Sequence, residues 1–302
     1  MTNPTLRATA TQPATDHPGG ASEIDVCASR LDRASADMRT AAMIWRREMT
    51  RFVRARSRII TSLAQPVLFL FVLGVGLTPL VGPADGLNFI KFIFPGVIAI
   101  SVVTTAILSA ASIVWDREFG FLREMLVAPV SRACLVIGMS AGGASVAVIQ
   151  GLIMLVFVPV VGIRLTALTV LQTIGIMLLM AFTVTTLGVF LAALIQKIET
   201  FQTVVQFLLV PMLFLSSALF PLHGLPAWLS VITRLNPLTY IVDPLRRVVL
   251  TTQDLPTTTP TRYGFGVELF GTVVPTWAEL LITFTFAVMF LGAAIRAFRY
   301  TE

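Results

Sequence analysis

Val67-Leu68-Phe69-Leu70-Phe71-Val72-Leu73-Gly74-Val75 carries no polar side chain on any face. A strand of a membrane barrel alternates apolar and polar residues over roughly ten positions, and an amphipathic helix keeps a polar stripe. This stretch does neither, so it reads as a helix with lipid or protein on every side. Counting only Asp, Glu, Lys and Arg, the uncharged interval around it runs from 59 to 84. Further uncharged intervals run from 92 to 115, 133 to 163, 165 to 196, 200 to 233 and 280 to 295. A helix rises about 1.5 Å per residue and the hydrocarbon layer is about 30 Å thick, so roughly 20 residues cross it. The first five intervals meet that length; the sixth does once extended to Trp277, which puts Glu279 and the indole at headgroup level.

Composition agrees, since 56% of the 302 residues are hydrophobic and only 13% charged, a balance outside the range of soluble domains. Lipid offers no water to backbone groups, so every span must be helical. The expectation is an all-α integral membrane protein with six transmembrane helices over residues 59–300. An amphipathic interfacial helix over 36–58 precedes them, behind a disordered cytoplasmic tail over 1–35 that lacks an apolar signal core and is rich in Thr, Ala, Pro and Asp.

Orientation follows from the basic residues. With the N-terminus inside, sixteen Lys and Arg are cytoplasmic, ten of them before Ile59, and the other six are Arg117, Arg123, Arg132, Lys197, Arg296 and Arg299. Lys91, Arg164, Arg234, Arg246, Arg247 and Arg262 fall outside. Both termini are therefore expected in the cytoplasm of a multi-pass plasma-membrane protein. The net charge of +6 reflects this asymmetry and not a nucleic-acid partner. Cys27 and Cys134 both fall on the reducing side, so no disulfide is expected.

In the segment 36–58, Met38, Ala42, Met49, Phe52 and Val53 project near Trp45 on a helical wheel, while Arg39, Arg46, Arg47, Arg51, Arg54 and Arg58 take the opposite side. Such a helix lies along the inner headgroups, either as a topology anchor or as a docking surface for a partner. Between the second and third intervals stands Trp115-Asp116-Arg117-Glu118-Phe119-Gly120-Phe121-Leu122-Arg123-Glu124-Met125-Leu126. Its charges interleave with apolar residues, which suits either a solvated turn or an element docking in a soluble partner's groove.

After the fifth interval the chain stays apolar longer than one span needs, from Pro211 through Pro221 and Pro226 to Leu229, until Asn236-Pro237-Leu238-Thr239-Tyr240 breaks it with a turn signature. This reads as an external re-entrant hairpin packed on other spans, or as a hydrophobic loop at the interface. Gly138 and Gly142, within Ala141-Gly142-Gly143-Ala144-Ser145, let a neighbouring backbone come close. Gln150, Gln172, Thr183, Thr185, Thr186 and Gln206 are the polar groups available to line a path, or to make hydrogen bonds between helices.

These residues resemble the ABC-2 type permeases, near the daunorubicin and doxorubicin exporter branch, over roughly 40–300. The resemblance rests on Arg117, Glu118, Gly120, Leu122 and Glu124 in the cytoplasmic loop. It rests equally on the run from Pro211 through Asn236-Pro237-Leu238-Thr239-Tyr240 to Asp243, Leu245 and Arg246. Where the family carries Ser-Gly before the external prolines, this chain has Ser217. The resemblance implies a permease that pairs with a second copy or a sibling and binds two copies of a separate ATPase, which uses ATP and Mg; this chain itself would hold no cofactor. Asp116, Arg117, Glu118, Gly120 and Glu124, with Arg46, Arg47, Arg51 and Arg54, would form the ATPase-coupling surface. Pro221, Pro226, Asn236, Pro237, Tyr240, Asp243 and Arg246 would belong to the external gate. The implied cargo is a lipophilic drug, antibiotic or lipid, with lipid-linked polysaccharide as the alternative, and the implied source is bacterial.

The residues also argue against other classes. A phosphate-binding loop needs Gly-Lys followed by Ser or Thr, but the only lysines, Lys91 and Lys197, precede Phe92 and Ile198. An ion-coupled transporter would place ionisable groups at mid-membrane, and the intervals contain none apart from His223 beside Pro221 and Gly224. Two histidines, His17 and His223, cannot build a zinc protease site, and Gly143-Ala144-Ser145-Val146-Ala147 lacks the second glycine of a nucleophile elbow. A receptor-like membrane protein is separated from an exporter by whether a neighbouring gene encodes a soluble ATPase.

Overall fold

The computed structural model describes residues 23–81, 89–120, 131–218, 226–250, 268–269 and 272–300, with side chains from Asp37 onward except at 56, 58, 75, 77–81, 227, 268–269 and 272–273. Glu124 and Pro221 lie outside the described residues, as do Arg123 and His223. Helix α1 spans Glu23–Arg54. It starts earlier than the tail reading over 1–35 allows, for a local reason. Pro4, Pro13, Pro18, Gly19 and Gly20 all precede it, and neither proline nor glycine occurs from Glu23 to Arg54.

At Ala55 the chain turns, and α2 (Arg56–Val81) follows; the stretches Asp37–Arg54 and Ile59–Gly74 are bent by 72°. Helix α3 (Phe89–Ser109) is separated from α4 (Ala111–Glu118) only by Ala110, whose helical φ of −68° and ψ of −14° keep the two in one apolar run. Next come α5 (Arg132–Leu155), the single turn α6 (Val158–Val161) and α7 (Ala167–Leu194). Ser131 and Thr166 accept from the backbone N–H groups of Cys134 and Thr169, so side chains open both long helices. Helix α8 (Ile198–Phe214), the short helices α9 (Ala227–Leu235) and α10 (Thr239–Leu250), an antiparallel pair β1 (Glu268–Leu269) and β2 (Thr272–Val273), and α11 (Thr276–Tyr300) complete the order.

Four described helices are long and apolar enough to cross a membrane, namely Phe89–Glu118, Arg132–Leu155, Ala167–Leu194 and Thr276–Tyr300; the bent pair brings the number to five. The uncharged interval 200–233 is not one helix. Helix α8 has 17 residues, about 25 Å of rise, and the chain leaves helical geometry at Ser217, whose φ is +62°. Two short helices, α9 and α10, occupy the region where the sequence suggests a hairpin.

Helix α7 is central, packed against α11, α5 and α3, while α3 also carries α2 and α10. Contacts sort the bundle into two ends, as alternating spans require. At one end Arg132, opening α5, donates to the carbonyl of Phe298 near the end of α11 (2.6 Å). At the other, α10 and the start of α11 meet through Thr283 and the Tyr240 carbonyl (3.4 Å).

The small-residue run on α5 receives α1. A Cβ on Gly138 would lie 2.9 Å from the Ala41 carbonyl oxygen, and one on Gly142 would lie 2.9 Å from the Glu48 Cβ. The indole of Trp45 donates to Ser145 Oγ at 2.9 Å. The packed face of α1 is thus centred on Ala41, Ile44, Trp45 and Glu48, and Met38 and Val53 of the wheel's apolar face stay exposed. A bare backbone groove on α5 sets the rotation of α1 more strongly than side-chain hydropathy does.

Candidate functional site

Three consecutive residues at the end of α4 each grip a different element. Asp116, only 6% exposed, accepts from Arg47 Nη2 at 2.8 Å and Arg51 Nη2 at 3.4 Å, both from α1. Glu48 completes a charge-balanced square, 3.1 Å from Arg47 and 3.8 Å from Arg51. Arg117 turns inward, its Nη1 donating to the carbonyls of Ala192 (3.2 Å) and Ala193 (2.9 Å), groups left unpaired at the end of α7. Its guanidinium also stands 6.0 Å from the ring of Phe298 on α11. Glu118 accepts from the backbone N–H of Ile198 at 3.1 Å and so caps α8, where Lys197 offers no side-chain cap.

Other residues face outward without taking part in these bonds. Arg46 and Arg54 are exposed, Gly120 takes a left-handed φ of +82°, and Trp115 and Phe119 meet at a tilt of 35° with ring centroids 5.5 Å apart while staying largely exposed. The structure therefore divides the charged segment into a triplet bonded to three other helices, running from buried Asp116 to exposed Glu118, and an outward aromatic and basic face.

The opposite end holds a second knot. The Asn236 amide donates to the Met212 carbonyl (2.6 Å) while its oxygen accepts from the Leu238 N–H (3.1 Å), so one side chain ties α8 to the turn at Pro237. Thr239 Oγ1 lies within hydrogen-bond range of the carbonyls of Thr233 (2.8 Å) and Leu215 (3.2 Å), and Tyr240 OH donates to the Arg234 carbonyl (2.7 Å). Arg246, 1% exposed, donates to the carbonyls of Ser217 and Ala218, and its guanidinium lies 4.3 Å from the centroid of Phe92. Asp243 pairs with Arg247 (2.6 Å), which also reaches Glu279 (3.2 Å) on α11. Pro226 opens α9 and is exposed.

Sequence reasoning picked out Asn236, Tyr240, Asp243 and Arg246 but passed over Phe92, Gly96, Thr239, Arg247 and Glu279 as site residues. Gly96 is the least legible of these, one small residue inside an apolar run. Yet a Cβ there would fall 1.8 Å from the Ala218 carbonyl oxygen. The polar side chains within the spans behave differently from interhelical bridges. Thr183 and Thr186 donate to carbonyls of their own helix (2.8 Å each), Gln150 and Thr185 are buried without a hydrogen bond, and Gln172 and Gln206 are exposed.

A bundle of long apolar helices, tied at one end by an internal ionic lock and at the other by a knot of short helices, marks a multi-pass membrane protein. The chain belongs to the ABC-2 type transporter family, whose model matches residues 40–250. It is similar to the ycf38 protein of Cyanophora paradoxa, 31% identical over 65% of this chain and 70% of that one. It is also similar to Nodulation protein J of Rhizobium meliloti (30% identical; 68% and 80% covered) and to the inner membrane transport permease YadH of Escherichia coli (27% identical; 74% and 86% covered).

Proposed function

We propose that this chain is the membrane-spanning permease subunit of an ATP-binding-cassette exporter that moves a lipophilic drug, antibiotic or lipid out of the cell, driven by two copies of a separate ATPase. The observation that carries this reading is the triplet Asp116, Arg117 and Glu118. A permease without its own phosphate loop needs a stiff lever between an external motor and its spans. Here α1, the end of α7, and the start of α8 are joined through three adjacent side chains. Force applied to the exposed Arg46, Arg54, Trp115 and Phe119 would reach two spans without a flexible link. In this reading the triplet transmits the motion, and the ATPase meets the residues around it.

A second permease copy, or a sibling, is supported by α8. Phe207 is 83% exposed and Val210 and Phe214 are exposed beside it. Gln202, Thr203 and Gln206 share that open surface. Exposed amides on a membrane helix are poorly served by lipid and well served by the same helix of a partner permease.

The decisive experiment is co-purification of the chain with the soluble ATPase encoded nearest to it, scored for stoichiometry and for ATPase activity with and without lipophilic compounds. A complex of two permeases and two ATPases whose turnover responds to such compounds is the expected result. Failure to bind any soluble ATPase would overturn the reading.

A further inference from the structure

A cavity of about 350 Å³ lies between α1, α2, α3 and α5, at the end of the bundle that carries the ionic lock. Glu48 and Arg51 stand at its rim, and Thr61, Gln65, Ser101 and Thr105 are among its walls. The lock borders this space without filling it.

Its chemistry is specific in two respects. First, the walls are rich in hydroxyl oxygens whose own protons are already committed. Thr61 donates to the Ser57 carbonyl (2.9 Å), Ser62 to Ile59 (2.9 Å), Ser109 to Ala106 (2.6 Å) and Ser112 to Ser109 (3.0 Å). Their lone pairs are the remaining valence, so this wall accepts hydrogen bonds more readily than it gives them. Second, the rim is charge-balanced, because Arg47 and Arg51 are matched by Glu48 and Asp116. It therefore has no net attraction for an anionic head group.

An independent observation points to an occupant. Ser101, 2% exposed and part of the wall, has no hydrogen-bond partner. Gln150 lies two helical turns beyond the wall residue Gly143, on the same face of α5. It is fully buried with both amide atoms unpartnered. The two sit at one level, since the neighbours Gly151 and Val102 face each other, a Cβ on Gly151 lying 2.7 Å from a Val102 methyl. Buried polar groups are costly to leave unpaired; Ser101 is such a group on the cavity wall itself, and Gln150 is one beyond the wall.

We propose that this cavity binds the uncharged, hydroxyl-rich head group of one amphipathic molecule, its apolar tail staying in the surrounding hydrocarbon. The volume is near the lower limit of small-molecule pockets, which suits one sugar-sized head group. The site lies within a single chain, so it goes beyond the exporter reading and can be tested without any ATPase.

The test uses the full chain, purified in octaethylene glycol monododecyl ether and exposed to a photoactivatable alkyl glucoside, with labelled peptides mapped by mass spectrometry. Saturable labelling within 61–66 and 100–112 is expected, displaced by octyl glucoside and not by dodecylphosphocholine. Replacing both Ser101→Val and Thr105→Val should weaken labelling about tenfold, while Thr285→Val at an exposed position of α11 should leave it unchanged. Non-saturable labelling, equal displacement by the two competitors, or undiminished labelling of a well-folded double variant would each overturn the proposal. If the double variant does not elute as a folded species, the competition on the native chain decides alone.

Discussion

Arg47 reaches from α1 to Asp116 at the end of α4, with Nη2 2.8 Å from Oδ2. Arg51 approaches the other carboxylate oxygen at 3.4 Å. Asp116 is buried while the arginine side chains keep 31% and 45% of their exposure, so the arginines retain water when the acid is neutralised. Asp116→Asn should therefore cost about 1–2 kcal/mol and not the larger value of a fully buried pair. The expected outcome is a melting temperature lower by a few degrees and ATPase activity that no longer responds to the permease. The exchange Asp116→Arg with Arg47→Asp should recover part of both. Native melting and coupling in Asp116→Asn would show that the lock is incidental.

Glu118 acts through the N-terminus of α8, where it accepts from Ile198 N–H. Glu118→Gln keeps an acceptor and should stay close to native. Glu118→Lys removes the acceptor and sets a positive charge against the positive end of the helix dipole, at a cost of about 1 kcal/mol. Combined with Glu124→Lys it should abolish transport while membrane insertion, followed by fractionation, is unaffected. Normal vesicle transport by the double variant would remove these acids from the coupling path.

Much of this architecture is legible in the sequence, and the parts that are not share a cause. Counting charges located the runs Phe89–Glu118, Arg132–Leu155, Ala167–Leu194 and Thr276–Tyr300, because desolvation excludes Lys, Arg, Asp and Glu from lipid-facing helix. The same count merged α8 with α9, since a turn made by Ser217 and flanked by uncharged residues changes backbone direction without adding charge. Asp116, Arg117 and Glu118 stood out as charged. Arg47 stood out with Arg46, Arg51 and Arg54 but not as the partner of Asp116, and Ala193 and Ile198 did not stand out at all, because carbonyl and N–H groups at helix ends leave no trace in side-chain composition. The orientation of α1 escaped for a related reason: the groove that receives it is on α5.

Ser217 stands where the resembling family carries glycine, and it adopts the glycine conformation, φ +62°. A side chain there costs about 1–2 kcal/mol, of which the greater freedom of unfolded glycine returns roughly half. Its hydroxyl is buried without a partner as well. Ser217→Gly should thus raise the unfolding midpoint by about 0.5–1 kcal/mol equivalent, and Ser217→Ala should not, measured by denaturant titration in mixed micelles. A glycine variant less stable than the native chain would mean that the hydroxyl has a role the turn conceals.

Gln206 is exposed on an apolar helix, and a facing permease copy would bring two such side chains together. With Cys27 and Cys134 replaced by Ala, Gln206→Cys should form a disulfide-linked dimer in membranes under mild oxidation. Val288→Cys, another exposed position, on α11, should stay monomeric. Equal cross-linking at both positions would indicate random collision, and none at Gln206→Cys would remove α8 from the contact.

The Ala218 carbonyl is held from two sides, by the Arg246 guanidinium at 3.2 Å and by the bare backbone of Gly96, where a Cβ would come within 1.8 Å. Phe92, four residues before Gly96 and hence on the same face of α3, carries the arginine at 4.3 Å from its ring centroid. Gly96→Ala must push the carbonyl away, and Arg246→Met leaves two carbonyls without their buried donor at a cost of about 2–3 kcal/mol. Because both changes release the same turn, their effects should not add. Ser216 is fully buried there, so Ser216→Cys in a cysteine-free background reports on it. Maleimide labelling should be slow with the native turn, faster by about tenfold or more in either variant, and no faster when the two are combined. Additive rates would separate Gly96 from Arg246, and unchanged rates would mean that neither residue holds this turn closed.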